Sequence, residues 1–191
     1  MDLEPLEPAG LDDISRLIKA CKSDTFWDIR DKAILLFLID TGVRARECTG
    51  LDLQDVDVIS GEINIRHGKG GKPRTVFIGQ KARRALRAYL KKRGDKIPLA
   101  LWITEDRERL SYGGLRGLVT RRAELAGIQA PALHSFRRAF AISMLRAGTD
   151  LITLARLLGH SDLTVLQRYL KQIPDDLKTA HVKGSPVELL K

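Results

Sequence analysis

The last third of the chain carries His134-Ser135-Phe136-Arg137, then Leu158-Gly159-His160, then Tyr169. Imidazole and guanidinium groups bind or activate phosphates, and a phenol can attack one. Two cations stand earlier: Arg44, just after Thr41-Gly42, and Lys69, inside the turn Gly68-Lys69-Gly70. An arginine presented from a rigid turn can match its planar fork to two oxygens of one phosphate. His134 and Arg137 are three residues apart, which on a helix places them on one face with about 5–6 Å between Cβ atoms. Such a pair suits an anion and suits a metal poorly, because the arginine repels the ion. A phenol has a pKa of about 10, so Tyr169 needs nearby positive charge or a base to become a nucleophile near neutral pH.

Taken singly, each of these residues also has a plain structural reading. Arg44 can cap the preceding helix or pair with a nearby carboxylate; Lys69, like Lys72 beside it, can simply solubilise a turn. His134 and Arg137 can be a surface pair, and His160 can bond a free carbonyl at a helix end. Tyr169 can be half-buried packing, the role expected of Tyr89 and Tyr112. The string Gly68-Lys69-Gly70-Gly71-Lys72 has the wrong glycine spacing for a nucleotide-binding loop, and neither lysine is followed by a serine or threonine to hold magnesium.

Charge distribution favours an anionic partner. The net charge is +9, yet residues 1–65 hold 14 acidic against 7 basic residues, while 66–93 hold 11 basic residues and no acidic one. A run so one-sided repels itself and is relieved by an external anion, with nucleic acid the leading candidate. Arg66, Lys72, Arg74, Lys81, Arg83 and Arg84 are its candidate backbone contacts.

The elements that must position these groups can be read from periodicity. Residues 1–10 hold two prolines and a terminal Ala-Gly, and form an expected flexible lead-in. A helix should begin near Leu11, capped by Asp12 or Asp13, with Ile14, Leu17 and Ile18 on one face. Asp28 to Asp40 reads as a helix buried on most of its circumference and broken by Gly42. A short helix from Arg44 to Thr49 should follow. Ile63 and Ile65 alternate with polar residues, and Thr75 to Ile78 return, so a hairpin is expected around Lys69–Lys72. Gln80–Arg93 is a helix with Ala82, Leu86, Tyr89 and Leu90 inward; Ile97–Ile103 is a short strand or packed loop. Ser111 should cap a helix that ends at Gly127. Helices are expected over Ser135–Arg146 and Ile152–Leu158, and another from Ser161 or Asp162 to Tyr169. Residues 174–191 are a tail. The predicted fold is mainly α with a small antiparallel sheet, an α+β domain over 11–173.

Composition closes off several classes. No apolar run approaches the roughly 18 residues that cross a bilayer; the longest is Ala33–Ile39. The acidic N-terminus reads against a secretory signal. Two cysteines, Cys21 and Cys48, suggest neither a disulfide scaffold nor a zinc site. A reducing, cytoplasmic compartment is the expectation.

In combination, these motifs resemble the catalytic domain of the tyrosine recombinases, the phage-integrase and Xer-like family, from about Leu11 to about Ile173. Thr41-Gly42-Val43-Arg44 is similar to the family's Thr-Gly-Leu-Arg, and Glu47 matches its acidic partner, expected to orient the site. The resemblance implies that Arg44 and Arg137 are the catalytic arginines and Lys69 the mobile lysine of the hairpin. It makes His134 and His160 the two histidines and Tyr169 the nucleophile. Where the family often has histidine after the second arginine, this chain has Arg138, which can add a phosphate contact. The implied fold is an integrase-type core with a three-stranded sheet on one edge. The implied activity is site-specific breaking and rejoining of double-stranded DNA through a 3′-phosphotyrosyl intermediate, without ATP, metal or other cofactor, at the nucleoid.

Family members usually carry a helical clamp domain ahead of this one, and no segment here matches it. They assemble as tetramers on two duplexes with the tail docked on a neighbour; an isolated domain is compatible with a monomer. Two alternatives remain open on sequence grounds: relaxation of DNA in the manner of a type IB topoisomerase, and a non-catalytic module in which residues 135–146 and 152–158 form a helix-turn-helix.

Overall fold

A computed structural model describes residues 10–66, 73–94 and 98–159. Lys69, Lys72, His160, Tyr169, the expected 161–169 helix and the tail all lie outside the described residues. Seven α-helices are described: α1 (Leu11–Lys19), α2 (Phe26–Thr41), α3 (Ala45–Gly50), α4 (Gln80–Arg93), α5 (Tyr112–Ala126), α6 (Leu133–Arg146) and α7 (Leu151–Leu158). Two strands, β1 (Glu62–Ile65) and β2 (Arg74–Phe77), lie between α3 and α4.

The apolar run of α2 makes it the central helix: Ala33, Ile34, Leu35, Phe37 and Leu38 are buried, and α1, α4, α6 and β2 pack around it. Thr25 caps it by accepting from the Asp28 amide, so it starts two residues before the expected Asp28. The cap of α1 is Gly10, without a side-chain bond. Asp12 and Asp13 lie in its first turn, where they favour the helix dipole instead of capping. Trp102 fills the centre of the core, with its ring centroid 5.2 Å from Tyr89 and 5.6 Å from Phe37. The Tyr89 hydroxyl donates to the Leu101 carbonyl and accepts from the Ile103 amide, which fixes it as packing. Tyr112, by contrast, is exposed at the start of α5.

Charge is buried here as well as hydrocarbon. Arg30 and Asp31 on α2 are 1% and 2% exposed, and Arg122 on α5 reaches Asp31 from across the core at 2.8 Å. Arg122 also pairs with Asp28, and Arg30 stacks over Trp27. Paired in this way, the buried charges keep their hydrogen bonds.

The strands pair antiparallel, with Ile63 opposite Val76 and Ile65 opposite Arg74. The expected three-stranded sheet is not formed among the described residues: the segment before β1 contributes only a single bridge, Val56 to Ile63. Aspartates turn that segment before it can extend. Asp55 accepts from the Asp52 amide around a one-turn 3₁₀ helix, and Asp57 accepts from the Ile59 and Ser60 amides. Residues 98–103 likewise make only isolated bridges, Asp52 to Ala100 and Ile103 to Arg109.

A second apolar cluster, Phe140, Ala141, Ile142, Leu154, Ala155 and Leu158, joins α6 to α7. Asp150 caps α7 by accepting from the Ile152 and Thr153 amides. Among the described residues no helix is long and apolar enough to cross a membrane.

Candidate functional site

Helix α2 stops at Gly42, whose φ of 60° is the left-handed conformation that glycine adopts without a Cβ clash. The chain therefore reverses just before Arg44, the residue that caps α3. Glu47, in the first turn of α3, accepts from the Arg44 amide at 2.8 Å and from its guanidinium at 2.9 Å. The Arg44 side chain is 26% exposed, and it makes no other hydrogen bond to a described residue. Backbone and side chain are thus fixed by one carboxylate while the guanidinium keeps partial access to solvent.

Arg137 approaches the same turn from α6. It is 2% exposed, and it donates to the Gly42 carbonyl at 2.8 Å and the Leu158 carbonyl at 2.6 Å. It therefore ties the end of α2 to the end of α7, and its orientation is set by two backbone oxygens. Because α6 begins at Leu133, two residues before the expected start, His134 is already helical and shares a face with Arg137. The His134 ring is exposed at the surface, yet its pKa is lowered below 6.5. Partial desolvation acts first, followed by the positive charges of Arg138, Arg137 and Arg44. Both effects favour a neutral imidazole.

Around these groups the basic run divides into separate settings. Arg74, at the start of β2, has a side chain only 8% exposed. Its guanidinium grips both oxygens of Glu47 at 2.9 and 2.7 Å, and its Nε donates to the Leu157 carbonyl at 2.8 Å. Arg66 pairs with Asp52 and Asp55. Arg83 donates to the Val58 carbonyl, and Arg93 is buried against the carbonyls of Pro98 and Ala100. Lys81 and Arg84 are exposed on α4, where they line a groove of about 510 Å³ together with Lys22 and Lys32. Arg138 is partly exposed on α6.

Glu47 is the electrostatic centre of the site. Burial alone would raise its pKa, but hydrogen bonds from Arg74 and from the Arg44 amide outweigh that, lowering it from 4.5 to about 2. Sequence reasoning found Glu47 through its spacing from Arg44 but assigned Arg74 to the DNA-contacting run. The available signal was that a buried carboxylate needs more than one cation, and Arg74 lies 27 residues away.

The structure thus brings Arg44, Glu47 and Arg137 to one turn, with His134 one helical turn before Arg137 on α6. Lys69 and His160 lie outside the described residues, but both adjoin segments that Arg74 holds. Residues 67–72 join the paired ends of β1 and β2, and His160 directly follows Gly159, the left-handed cap of α7.

The sequence pattern of the Phage integrase family matches residues 10–174. Tyrosine recombinase XerC of Thermodesulfovibrio yellowstonii is 37% identical over 168 residues, covering 83% of this chain and 56% of that protein. Tyrosine recombinase XerA of Thermococcus kodakarensis is 36% identical over 165 residues, covering 84% and 57%. This chain therefore spans somewhat over half the length of such relatives. A crystal structure of XerA recombinase superposes with a TM-score of 0.79 at 29% identity, covering 97% of this chain and 66% of that one. XerH recombinase bound to its difH substrate after cleavage shares the fold, with a TM-score of 0.74 at 21% identity. With the match spanning nearly the whole described core, including the arginine-lined turn, the chain belongs to the phage integrase family.

Proposed function

We propose that this chain is the catalytic part of a site-specific tyrosine recombinase that cleaves and rejoins double-stranded DNA. The observation that supports it most is the Gly42 turn, whose carbonyl holds Arg137 and which Arg44 follows, within a chain whose relatives are named tyrosine recombinases.

A phosphodiester gathers charge on its non-bridging oxygens as it becomes pentacoordinate. Donors directed at those oxygens gain interaction in the transition state, the role proposed for Arg44, Arg137 and His160. The Tyr169 oxygen attacks phosphorus, forming a 3′-phosphotyrosyl bond as the bond to the 5′ oxygen breaks. Lys69 supplies the proton that makes the 5′-hydroxyl leave. His134, its imidazole biased toward the neutral form, takes the phenolic proton. Attack by the 5′-hydroxyl of a second strand reverses the step and reseals the DNA, so bond energy is kept in the phosphotyrosine and no ATP is consumed. Exposed Lys81 and Arg84, with Lys72 and Arg138, contact the DNA backbone. Strand exchange takes place in a tetramer on two duplexes, at the nucleoid, with residues 174–191 docking on a neighbouring protomer.

The test is a nicked duplex from which a short fragment diffuses away after cleavage, followed by denaturing electrophoresis and peptide mapping. Tyr169→Phe removes the nucleophilic atom and keeps the ring, so it is expected to retain DNA affinity and form no adduct. An adduct formed by the variant, or one mapped to Tyr89 or Tyr112, would overturn the assignment.

A further inference from the structure

Arg74 is only 8% exposed at its side chain, and each of its three nitrogens donates to the protein itself. Nε binds the Leu157 carbonyl, and the two amino groups bind the two oxygens of Glu47. The side chain also lies against Gly159: a Cβ there would sit 3.0 Å from Arg74 Cδ. One residue thus joins β2, the first turn of α3 and the end of α7. In sequence, β2 follows the segment that holds Lys69, α3 follows Arg44, and α7 precedes His160. From this geometry we infer that Arg74 is a positioning residue for the cleavage step, acting through Glu47 on Arg44.

The reasoning is competition for one carboxylate. Arg74 occupies both Glu47 oxygens in a bidentate pair, the strongest arrangement a guanidinium makes. The Arg44 guanidinium is left a single bond to the carboxylate, one amino group on Oε1, beside the bond from its own amide to Oε2, and its side chain stays partly exposed. With Arg74 removed, the buried carboxylate has one cation within reach. Arg44 then takes the bidentate position and turns its fork inward, away from the phosphate. The hairpin base and the Leu157 carbonyl lose their common anchor at the same time. Lysine at position 74 would keep the charge but cannot span two oxygens and a carbonyl in one plane.

The inference rests on the recombinase reading, and the experiment keeps the two separable. The full chain is prepared as wild type, Arg74→Gln, Arg74→Lys, Glu47→Gln and the Arg74→Gln/Glu47→Gln double variant. Each is measured for DNA affinity against salt, single-turnover adduct formation on the nicked duplex, and amide hydrogen exchange without DNA. Arg74→Gln is expected to slow adduct formation roughly ten- to hundredfold, the range of coupling between contacting residues. Affinity and its salt dependence should be unchanged. Arg74→Lys should fall between wild type and Arg74→Gln. The double variant should recover part of the lost rate, because the amide at 47 no longer draws Arg44 inward; a residue that merely stabilised the fold would give no such recovery.

A log–log salt slope reduced by about 0.9 together with weaker binding would make Arg74 a phosphate ligand instead. Losses in the double variant equal to the product of the single losses would also overturn the inference. If Arg74→Gln does not fold, Arg74→Lys carries the same comparison. A wild-type chain that forms no adduct refutes the recombinase reading. Hydrogen exchange then decides the strut alone: faster exchange in residues 44–48 and 156–159 together upholds it, and a change confined to β2 overturns it.

Discussion

Replacing Gly42 with alanine adds one methyl group at the point where both candidate catalytic arginines are anchored. The backbone there is left-handed, with φ at 60°. A new Cβ would lie 2.3 Å from Phe140 Cδ1 and 3.0 Å from Leu158 Cδ2. Carbon atoms pack comfortably at about 3.5–4.0 Å, so the wall must open by more than about 1 Å. Phe140 is 8% exposed and sits in the cluster that joins α6 to α7, so neither side of the gap can yield cheaply. The left-handed conformation costs an alanine about 1–2 kcal/mol, and overpacking adds about 1–3 kcal/mol. Reduced freedom of the unfolded chain returns about 0.4–1 kcal/mol. The expected net loss is about 1–5 kcal/mol, a sizeable part of the roughly 5–15 kcal/mol that holds a typical domain together.

Two other glycines separate these contributions. Gly127 caps α5 at φ 64° with nothing within 4 Å of an added methyl, so Gly127→Ala reports the conformational cost alone. Gly50, at the end of α3, has open space and no positive φ, so Gly50→Ala should be neutral or slightly stabilising. Urea unfolding of the three variants, at equal m-value, should rank Gly42→Ala below Gly127→Ala and Gly127→Ala below Gly50→Ala. Because the Gly42 carbonyl holds Arg137 and the following turn presents Arg44, displacement there also moves the site. A shift near 1 Å can cost about a hundredfold in rate, so adduct formation should fall even where the variant remains fully folded. Equal destabilisation by Gly42→Ala and Gly127→Ala would refute the packing reasoning.

Acid stability should isolate Glu47. Its folded-state pKa lies below the unfolded value, so its contribution is complete above about pH 4.5 and is lost as pH falls toward about 2. A shift of that size corresponds to about 3 kcal/mol. The stability gap between wild type and Glu47→Gln, followed by chemical unfolding at several pH values, should therefore be about that large at pH 7 and close toward pH 2; a gap independent of pH would contradict it. Arg44→Lys and Arg137→Lys should both reduce cleavage far more than DNA affinity, since charge survives and the planar fork does not. Only Arg137→Lys should also lower the unfolding midpoint, because Arg137 is buried on two carbonyls and Arg44 is partly exposed.

Where the fold was legible, local physics determined it. The ends of α4 at Gln80 and Arg93 follow from amphipathic periodicity and the glycines on either side. The Ser111 cap and the Gly127 stop of α5 come from a hydroxyl accepting the Gly114 amide and from a residue able to take positive φ. Gly42 and Gly159 were legible as helix stops for the same reason, and two of the three motif-bearing segments begin or end at them. The third strand implied by the resemblance is not formed among the described residues: 98–103, expected as a short strand or packed loop, makes only isolated bridges, and before β1 the Asp55 and Asp57 carboxylates turn the chain by accepting from nearby amides.

The charges were harder to place, for a reason specific to them. A charged residue in a helix or strand reads as solvent-facing, and Arg30, Asp31, Arg122 and Arg74 all contradict that by pairing inside the protein. Apolar residues declare burial individually, because each is driven from water without a partner. A buried charge is tolerated only as one of a set, and its partners are fixed by tertiary contact: Arg122 meets Asp31 across 91 positions and Arg74 meets Glu47 across 27. A run of eleven cations with no acid among them therefore overstates the cationic surface of this chain, because the acids that neutralise it come from earlier segments. Arg66 and Arg74 are drawn off by Asp52, Asp55 and Glu47, all from the acidic first third. The same withdrawal shapes the site: an arginine of the basic run takes both oxygens of Glu47 and leaves the Arg44 guanidinium one bond and partial exposure, so the charge asymmetry along the sequence becomes a division between cations held inside the protein and cations that keep access to solvent.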